Sequence, residues 1–173
     1  MNDRYLYRAK RTDNGEWVEG NIIWSDDIND DYKAIIIPAT DSNMFTRGGA
    51  NGDLGFEKWY RVDPSTTCQC TGLKDKNGNM IWENDIVRFQ FDNDDCPFMN
   101  KDTKKRIGKV YLSDYRASWS IAMGREGSKE LNNDLFKFVQ NGNRVEVIGS
   151  AIENPELLLE GKSLASEIIK TCY

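Results

Sequence analysis

Histidine is absent from the 173-residue chain, and this absence excludes several kinds of active site. Without an imidazole there is no Ser-His-Asp or Cys-His nucleophile, no HExxH zinc site and no imidazole proton shuttle. No other motif points to a catalytic grouping or to a bound cofactor. The sequence therefore predicts a protein without enzymatic activity.

Long apolar runs are also absent. No stretch approaches the roughly 18 apolar residues of a membrane-spanning helix, so we expect no membrane segment. The first residues, MNDRYLYRAKR, lack the apolar core of a secretory signal. We therefore expect a cytoplasmic protein.

An excess of positive charge is missing as well. The net charge is −5, with 28 acidic and 23 basic residues, which removes the default electrostatic reason to propose nucleic-acid binding. One basic cluster stands out, formed by Lys101, Lys104, Lys105, Arg106 and Lys109. With Tyr111, Tyr115 and Trp119 nearby, this cluster could contact single-stranded nucleic acid. Its place in a polar insertion that also contains acids favours a solvated loop.

The few cysteines have no metal-binding spacing. Cys68, Cys70, Cys96 and Cys172 lack a C-x₂-C pair, so we expect reduced, partly buried thiols rather than a Cys₄ zinc site or a disulfide. An acidic segment with Asp26, Asp27, Asp30 and Asp31 does not follow a calcium-loop pattern, which favours a solvated loop.

Short strand-like segments separated by turn residues dominate the rest of the chain. About ten such segments predict a mainly β protein, with less than about a fifth of its residues helical. Asn-Gly pairs at Asn14, Asn77 and Asn141 predict three β-hairpins, because these residues tolerate positive φ. Leu135 to Val139 is predicted as a strand, and the glycine-rich stretch from Asp41 to Gly55 as a flexible loop.

The predicted organisation has three parts. Residues 1–67 form an N-terminal β-hairpin region, residues 68–159 contain a small SH3-like β-barrel, and residues 160–173 form a helical tail. A first short helix begins at Asn154-Pro155, where Asn is the N-cap and Pro the first helical residue, and a second begins at Ser163.

One stretch, TGLKDKNGNMIWENDIVRF, is unusually rich in residues that turns require. We interpret it as a structural signature rather than an active site, with glycine and Asn residues at positive φ and Asp85 binding backbone amides. Glu83 and Asp85 are also weighed as a carboxylate pair for acid–base chemistry. The signature positions are Gly72, Asn77, Gly78, Glu83, Asn84 and Asp85.

This stretch, together with VEVIGSAIENPELL further along the chain and the opening YLYRAK-x-x-x-NGEWVEG, resembles the YopX family of bacteriophage and prophage proteins. The resemblance extends to Leu159 and implies a mainly β, phage-associated protein without an assigned activity. Two positions depart from the family pattern. Asn84 stands where glycine is usual, and Cys70 stands where an aromatic residue is common.

Three functional hypotheses follow. The first is a phage accessory protein that binds an unknown phage or host protein in the bacterial cytoplasm and forms homo-oligomers. The second is a single-stranded nucleic-acid-binding module that uses the basic segment 101–109. The third is a carboxylate-based hydrolase.

Overall fold

A computed structural model describes residues 3–26, 32–39, 44–47, 53–90, 105–123, 134–140 and 142–159. These residues are mainly in strands, which confirms the predicted β class. In chain order the strands are β1 (Tyr7–Lys10), β2 (Trp17–Trp24), β3 (Ala34–Pro38), β4 (Met44–Arg47), β5 (Asp53–Phe56), β6 (Tyr60–Arg61), β7 (Cys68–Lys74), β8 (Met80–Trp82), β9 (Asp85–Gln90), β10 (Lys105–Ser113), β11 (Ser118–Ala122) and β12 (Val145–Ser150), and the helix is α1 (Leu135–Gln140). The chain divides into two compact units, Met1–Cys70 (unit 1) and Thr71–Tyr173 (unit 2).

Unit 1 is built on an antiparallel sheet with the strand order β6-β3-β2-β1-β7. The predicted hairpin at Asn14 is confirmed, since β1 and β2 pair from Tyr7↔Gly20 to Lys10↔Trp17 and Gly15 has a φ of 73°. One face of the sheet forms a small core. Its residues come from alternate strand positions, because alternate side chains of a strand point to the same side. The core residues are Ala9, Ala34, Ile36 and Val62, with Tyr7, Val18 and Ile22 packed against them.

The glycine-rich stretch predicted as a loop instead contains paired strands. β4 and β5 form a separate two-stranded antiparallel sheet, from Met44↔Phe56 to Arg47↔Asp53. The prediction of a loop was wrong because it weighed the glycines above the strand-forming residues on either side of them. Glycines are also common in the turn of a β-hairpin, so a glycine-rich stretch does not exclude paired strands.

Unit 2 contains an antiparallel sheet with the strand order β11-β10-β9-β12. β8 pairs with β7, which confirms the predicted hairpin at Asn77. The buried residues between the elements of this unit are Ile81, Val87, Phe89, Val110, Ile121, Leu135, Phe138 and Val145. No sheet formed by the described residues closes on itself, so the predicted SH3-like barrel is not confirmed.

The segment predicted as a strand at Leu135 to Val139 is helix α1, and that prediction was wrong. A short apolar run does not distinguish a strand from a buried helix by its periodicity. Here Leu135 and Phe138, three residues apart, are both buried, and the ring of Phe138 lies 4.9 Å from that of Phe89. The Asp134 carboxylate accepts a hydrogen bond from the Phe136 amide at 2.9 Å and so caps the first turn.

The hairpin predicted at Asn141 is replaced by the end of helix α1 at Gln140, and Asn141 itself lies outside the described residues. Gly142 has a φ of 79° and follows the last turn of α1. The amides of Asn143 and Arg144 donate to the carbonyls of Val139 and Phe138, both at 3.1 Å. The tolerance of positive φ that predicted a hairpin is equally what a helix C-terminus needs.

The short helix predicted to begin at Asn154-Pro155 begins slightly later in the structure. Asn154 accepts a hydrogen bond from the Ser150 amide at 3.4 Å, and helical structure starts at residues 157–159. The amide of Leu157 donates to the carbonyl of Asn154 at 3.1 Å. The predicted helix at Ser163 and the whole region 160–173 lie outside the described residues.

Candidate functional site

Asp75, within the signature stretch, lies at the turn between β7 and β8 and accepts four hydrogen bonds. One carboxylate oxygen, Oδ1, accepts hydrogen bonds from the amides of Asn77 and Asn79, both at 2.9 Å. The other, Oδ2, accepts from the Asn79 side chain at 3.3 Å and from the Val147 amide at 3.1 Å. Asp75 is 2% exposed. A buried carboxylate thus satisfies three backbone amides, one of them on β12.

These hydrogen bonds determine the charge of Asp75. Burial by itself raises the pKa of the carboxyl, but the hydrogen bonds from Val147, Asn79 and Asn77 outweigh it, and the pKa lies below its ordinary value. Asp75 is therefore ionised at neutral pH. A general acid needs a pKa raised toward the working pH, so Asp75 is unsuited to that role.

Asp85 has a similar arrangement at the start of β9. It is 1% exposed, and its Oδ2 accepts a hydrogen bond from the Trp82 amide at 2.8 Å. The predicted backbone contact of Asp85 is therefore observed. Glu83, the other acid considered for catalysis, is half-buried in the turn between β8 and β9.

Asn84 is fixed in the left-handed conformation that the sequence predicts for it, with a φ of 62°. Its amide donates to the Val110 carbonyl at 2.9 Å, and its carbonyl accepts from the Ala151 amide at 2.8 Å. Both bonds join Asn84 to other elements of unit 2. The turn is thus held from two sides by backbone groups.

The remaining signature positions lie on exposed backbone. Gly72, in β7, has a φ of 74°, and Gly78, in the turn, has a φ of 86°. Asn77 is exposed and donates its amide to Asp75. The positive φ predicted for both glycines is observed.

The basic cluster is divided by the structure. Lys101 and Lys104 lie outside the described residues, while Lys105, Arg106 and Lys109 belong to strand β10 rather than to a loop. Because side chains alternate along a strand, Lys105 and Lys109 share one face and Arg106 points to the other, where it is the cross-strand partner of Phe89. The three described residues of the cluster therefore do not share a single face of the sheet.

Lys105 and Lys109 lie on the face of the unit 2 sheet opposite to that of Phe89. On this face Arg88 is opposite Ile107 and Glu146 in the strand register. Glu146 lies 2.8 Å from the Lys76 ammonium and 3.5 Å from the Arg88 guanidinium. The hydrogen bond from Lys76 and the two nearby cations hold the pKa of Glu146 below its ordinary value. We call this surface, formed by Lys76, Arg88, Lys105, Ile107, Lys109 and Glu146, the Lys109 face.

The aromatic residues considered with the cluster do not gather on the Lys109 face. Trp119 is half-buried against the unit 2 core, and its pairing with Leu112 places it on the opposite side of the sheet from Lys109. Tyr115 is 92% exposed in the turn between β10 and β11. By alternation Tyr111 alone of the three lies on the same side as Lys109.

A second cationic surface, which the sequence analysis missed, lies in unit 1. The guanidinium carbon of Arg8 lies 4.9 Å and the Lys10 ammonium 5.6 Å from the centre of the Trp17 ring. The register of β1 with β2 places all three on one face, together with Glu19. The signal was present in YRAK and the tryptophan across the Asn14 hairpin, since Lys10 is the direct partner of Trp17.

The same face continues to β6. Arg61 pairs with Ile35, and Ile35 with Ile23, which brings Arg61 to the side of Trp17. The Arg61 guanidinium carbon lies 5.6 Å from the Tyr32 ring, and the Tyr32 and Trp59 rings are 6.2 Å apart. We call this surface, formed by Arg8, Lys10, Trp17, Glu19 and Arg61, the Trp17 face.

The structure describes only some of the cysteine and aspartate residues considered for metal binding. Cys68 and Cys70 are buried and form no disulfide. Asp26 is exposed, whereas Asp27, Asp30, Asp31, Cys96 and Cys172 lie outside the described residues. In the part of the chain that the structure describes, no three Cys, Asp or Glu residues form a group that could hold a metal ion.

Fold and signature together define a two-unit, mainly antiparallel β protein whose signature carboxylates bind backbone amides. The family described as YopX protein matches residues 6–159, so the chain belongs to the YopX family, and the resemblance is confirmed.

The chain is also similar to a solved structure. The crystal structure of protein EF1440 from Enterococcus faecalis has 22% sequence identity and a TM-score of 0.50, over 88% of this chain and 96% of that one. At this identity the likeness concerns the fold. None of the curated proteins matches the chain. Within the described ranges, no helix has the length and apolar character needed to cross a membrane.

Proposed function

We propose that this YopX protein is a non-enzymatic binding module of bacteriophage or prophage origin, which acts in the cytoplasm of the bacterial host. It associates with itself and binds a phage or host protein. Two features support the absence of catalysis. The chain has no histidine, and the buried carboxylates Asp75 and Asp85 accept hydrogen bonds from backbone amides.

The observation that carries the proposal is the exposure of Trp24 at the end of β2. Its side chain is 54% exposed. Tryptophan is enriched among the residues that contribute most to protein–protein binding, because it buries a large apolar area at a low entropic cost. A half-exposed tryptophan at the end of a strand is a suitable anchor residue for binding a second protein surface.

Light scattering over a concentration series tests self-association. We expect the wild-type mass to rise above the 19.9 kDa monomer, and Trp24→Glu to shift the curve toward the monomer. Tyr115→Glu is the matched control, because it places the same charge on an exposed aromatic position of unit 2. A wild-type protein that stays at the monomer mass at high concentration contradicts the proposal.

Nucleic-acid binding through the segment 101–109 has less support. Lys105 and Lys109 share a face, but Arg106 points away from it and Trp119 packs against the core. The hydrolase hypothesis has less support too, since a lowered pKa at Asp75 is the reverse of what a general acid needs.

A further inference from the structure

We propose that the Trp17 face of unit 1 binds single-stranded nucleic acid. The proposal stands apart from self-association, because Trp24 lies on the core side of the sheet, with Val18 and Ile22, and the Trp17 face is the opposite side.

Charge is the first argument. Among the strand residues that the structure describes, the Trp17 face has three cations, Arg8, Lys10 and Arg61, and one acid, Glu19, although the chain as a whole has a net charge of −5. A local surplus of positive charge on an otherwise acidic protein selects for an anionic ligand at that place. Neighbouring strands lie about 4.8 Å apart across the sheet, and β1 and β6 are three such spacings apart, so their cations span roughly 15 Å. An extended polyanion matches this spread better than a small anion does.

The positioning of the cations is the second argument. Trp17 holds two of them, because Arg8 and Lys10 both lie within cation–π distance of its ring. The Lys10 amide also donates to the Thr66 hydroxyl at 2.9 Å, which fixes the strand beneath the side chain. Side chains ordered in this way lose less entropy when they bind phosphate.

The aromatic residues decide between nucleic acid and an acidic peptide. Trp59 is 45% exposed, and its ring lies beside that of Tyr32, which in turn contacts the Arg61 guanidinium. Surfaces that bind single strands combine backbone-tracking cations with exposed rings on which bases stack. An acidic peptide needs the cations but not the rings. In this arrangement Arg8 and Lys10 contact phosphates, and Trp59 stacks on a base near Arg61.

The test is the anisotropy of a fluorescein-labelled oligothymidylate titrated with the full chain between 50 mM and 200 mM salt. Three phosphate contacts predict a slope of log K against log salt of about −2, from about −0.7 per contact on single strands. The double variant Arg8→Gln/Lys10→Gln leaves one contact, so we expect a slope of about −0.7. Trp59→Ala removes a stacking ring, and we expect affinity to fall about tenfold or more.

The matched control is Lys105→Gln/Lys109→Gln, which removes the same charge from the Lys109 face, and we expect it to bind like wild type. Circular dichroism checks that each variant is folded. If the Arg8/Lys10 variant does not fold, Arg61→Gln at an exposed position replaces it, with an expected slope of about −1.4.

Three results overturn the proposal. The first is no binding at 50 mM salt. The second is weaker binding by the Lys105/Lys109 variant with the Arg8/Lys10 variant unchanged, which assigns the ligand to unit 2. The third is a pair of observations: an oligoglutamate of equal charge binds as tightly as oligothymidylate, and Trp59→Ala leaves oligothymidylate binding unchanged. This pair would assign an acidic peptide to the Trp17 face.

Discussion

Oδ2 of Asp75 accepts a hydrogen bond from the amide of Val147 across 3.1 Å, although the two residues are 72 positions apart in the chain. The neighbouring Lys76 amide donates to the Val145 carbonyl at 2.9 Å. β12 is the last strand of its sheet, so the turn between β7 and β8 covers backbone groups on its open edge. An uncovered edge is a template for unwanted pairing with another chain, and Asp75 is one of the groups that prevent it.

Asp75→Ala tests this role directly. The change leaves the amides of Asn77, Asn79 and Val147 without their acceptor, and an unsatisfied buried donor costs about 1–3 kcal/mol. We expect a lower free energy of unfolding by about that amount, measured by denaturant titration.

Asp63→Ala is the matched control for Asp75→Ala. Asp63 also accepts from a backbone amide, that of Ser65 at 2.9 Å, but at an exposed turn in unit 1 where water replaces the lost acceptor. We expect a clearly smaller change. Equal effects of the two substitutions would show that burial of Asp75 contributes nothing.

The pH dependence of stability follows from the lowered pKa of Asp75. Because the folded-state pKa is below that of the unfolded chain, the unfolded state binds more protons between the two values. The stabilisation is complete above the unfolded pKa and is lost as the pH falls through the folded one. We expect wild type to lose more stability than Asp75→Asn between about pH 6 and about pH 3.

Asn keeps one acceptor oxygen but cannot titrate, so the difference between the two pH profiles isolates this group. Asp63 and Glu146, whose pKa values are also lowered, are present in both proteins. Parallel profiles for wild type and Asp75→Asn would contradict the assignment.

Sequence patterns predicted the local part of this arrangement and missed the distant part. The Asn77-Gly78 pair predicts the turn because tolerance of a positive φ depends on the residue type alone, which the sequence shows directly. An Asp two positions before Asn77 is itself a signal for a side chain that binds the turn amides, and it was overlooked in favour of Glu83 and Asp85. The contact with Val147 has no local signal, since it depends on how β12 packs.

Asn84 offers a test of backbone strain at the second turn. Its φ of 62° suits Gly and Asn and disfavours β-branched residues. We expect Asn84→Gly to leave stability nearly unchanged and Asn84→Val to cost about 1–3 kcal/mol, measured as unfolding midpoints. Equal midpoints for the two variants would mean that the turn relaxes to a negative φ.

The periodicity of side-chain directions explains why helix α1 and the basic segment were predicted wrongly. Helix α1 was predicted as a strand because a short run with four apolar residues and one lysine fits either period, and only the three-dimensional structure shows that Leu135 and Phe138 are buried together. The basic segment looked continuous in the sequence, but once it lies in a strand, alternation separates Arg106 from Lys105 and Lys109.

Whether the signature is a folding element or a ligand site is decided by Gly78→Val and Asp85→Ala. A Cβ atom at Gly78 meets no atom within 4 Å, so we expect the cost of Gly78→Val to come from the φ of 86° and to be about 1–3 kcal/mol. Asp85→Ala leaves the buried Trp82 amide without its carboxylate partner and should also cost about 1–3 kcal/mol.

Asp114→Ala, at an exposed turn position, is the control and should keep the wild-type midpoint. If denaturant melts of Gly78→Val and Asp85→Ala also keep that midpoint, the turns do not hold the fold, and Glu83 with Asp85 becomes a ligand site to be tested by binding.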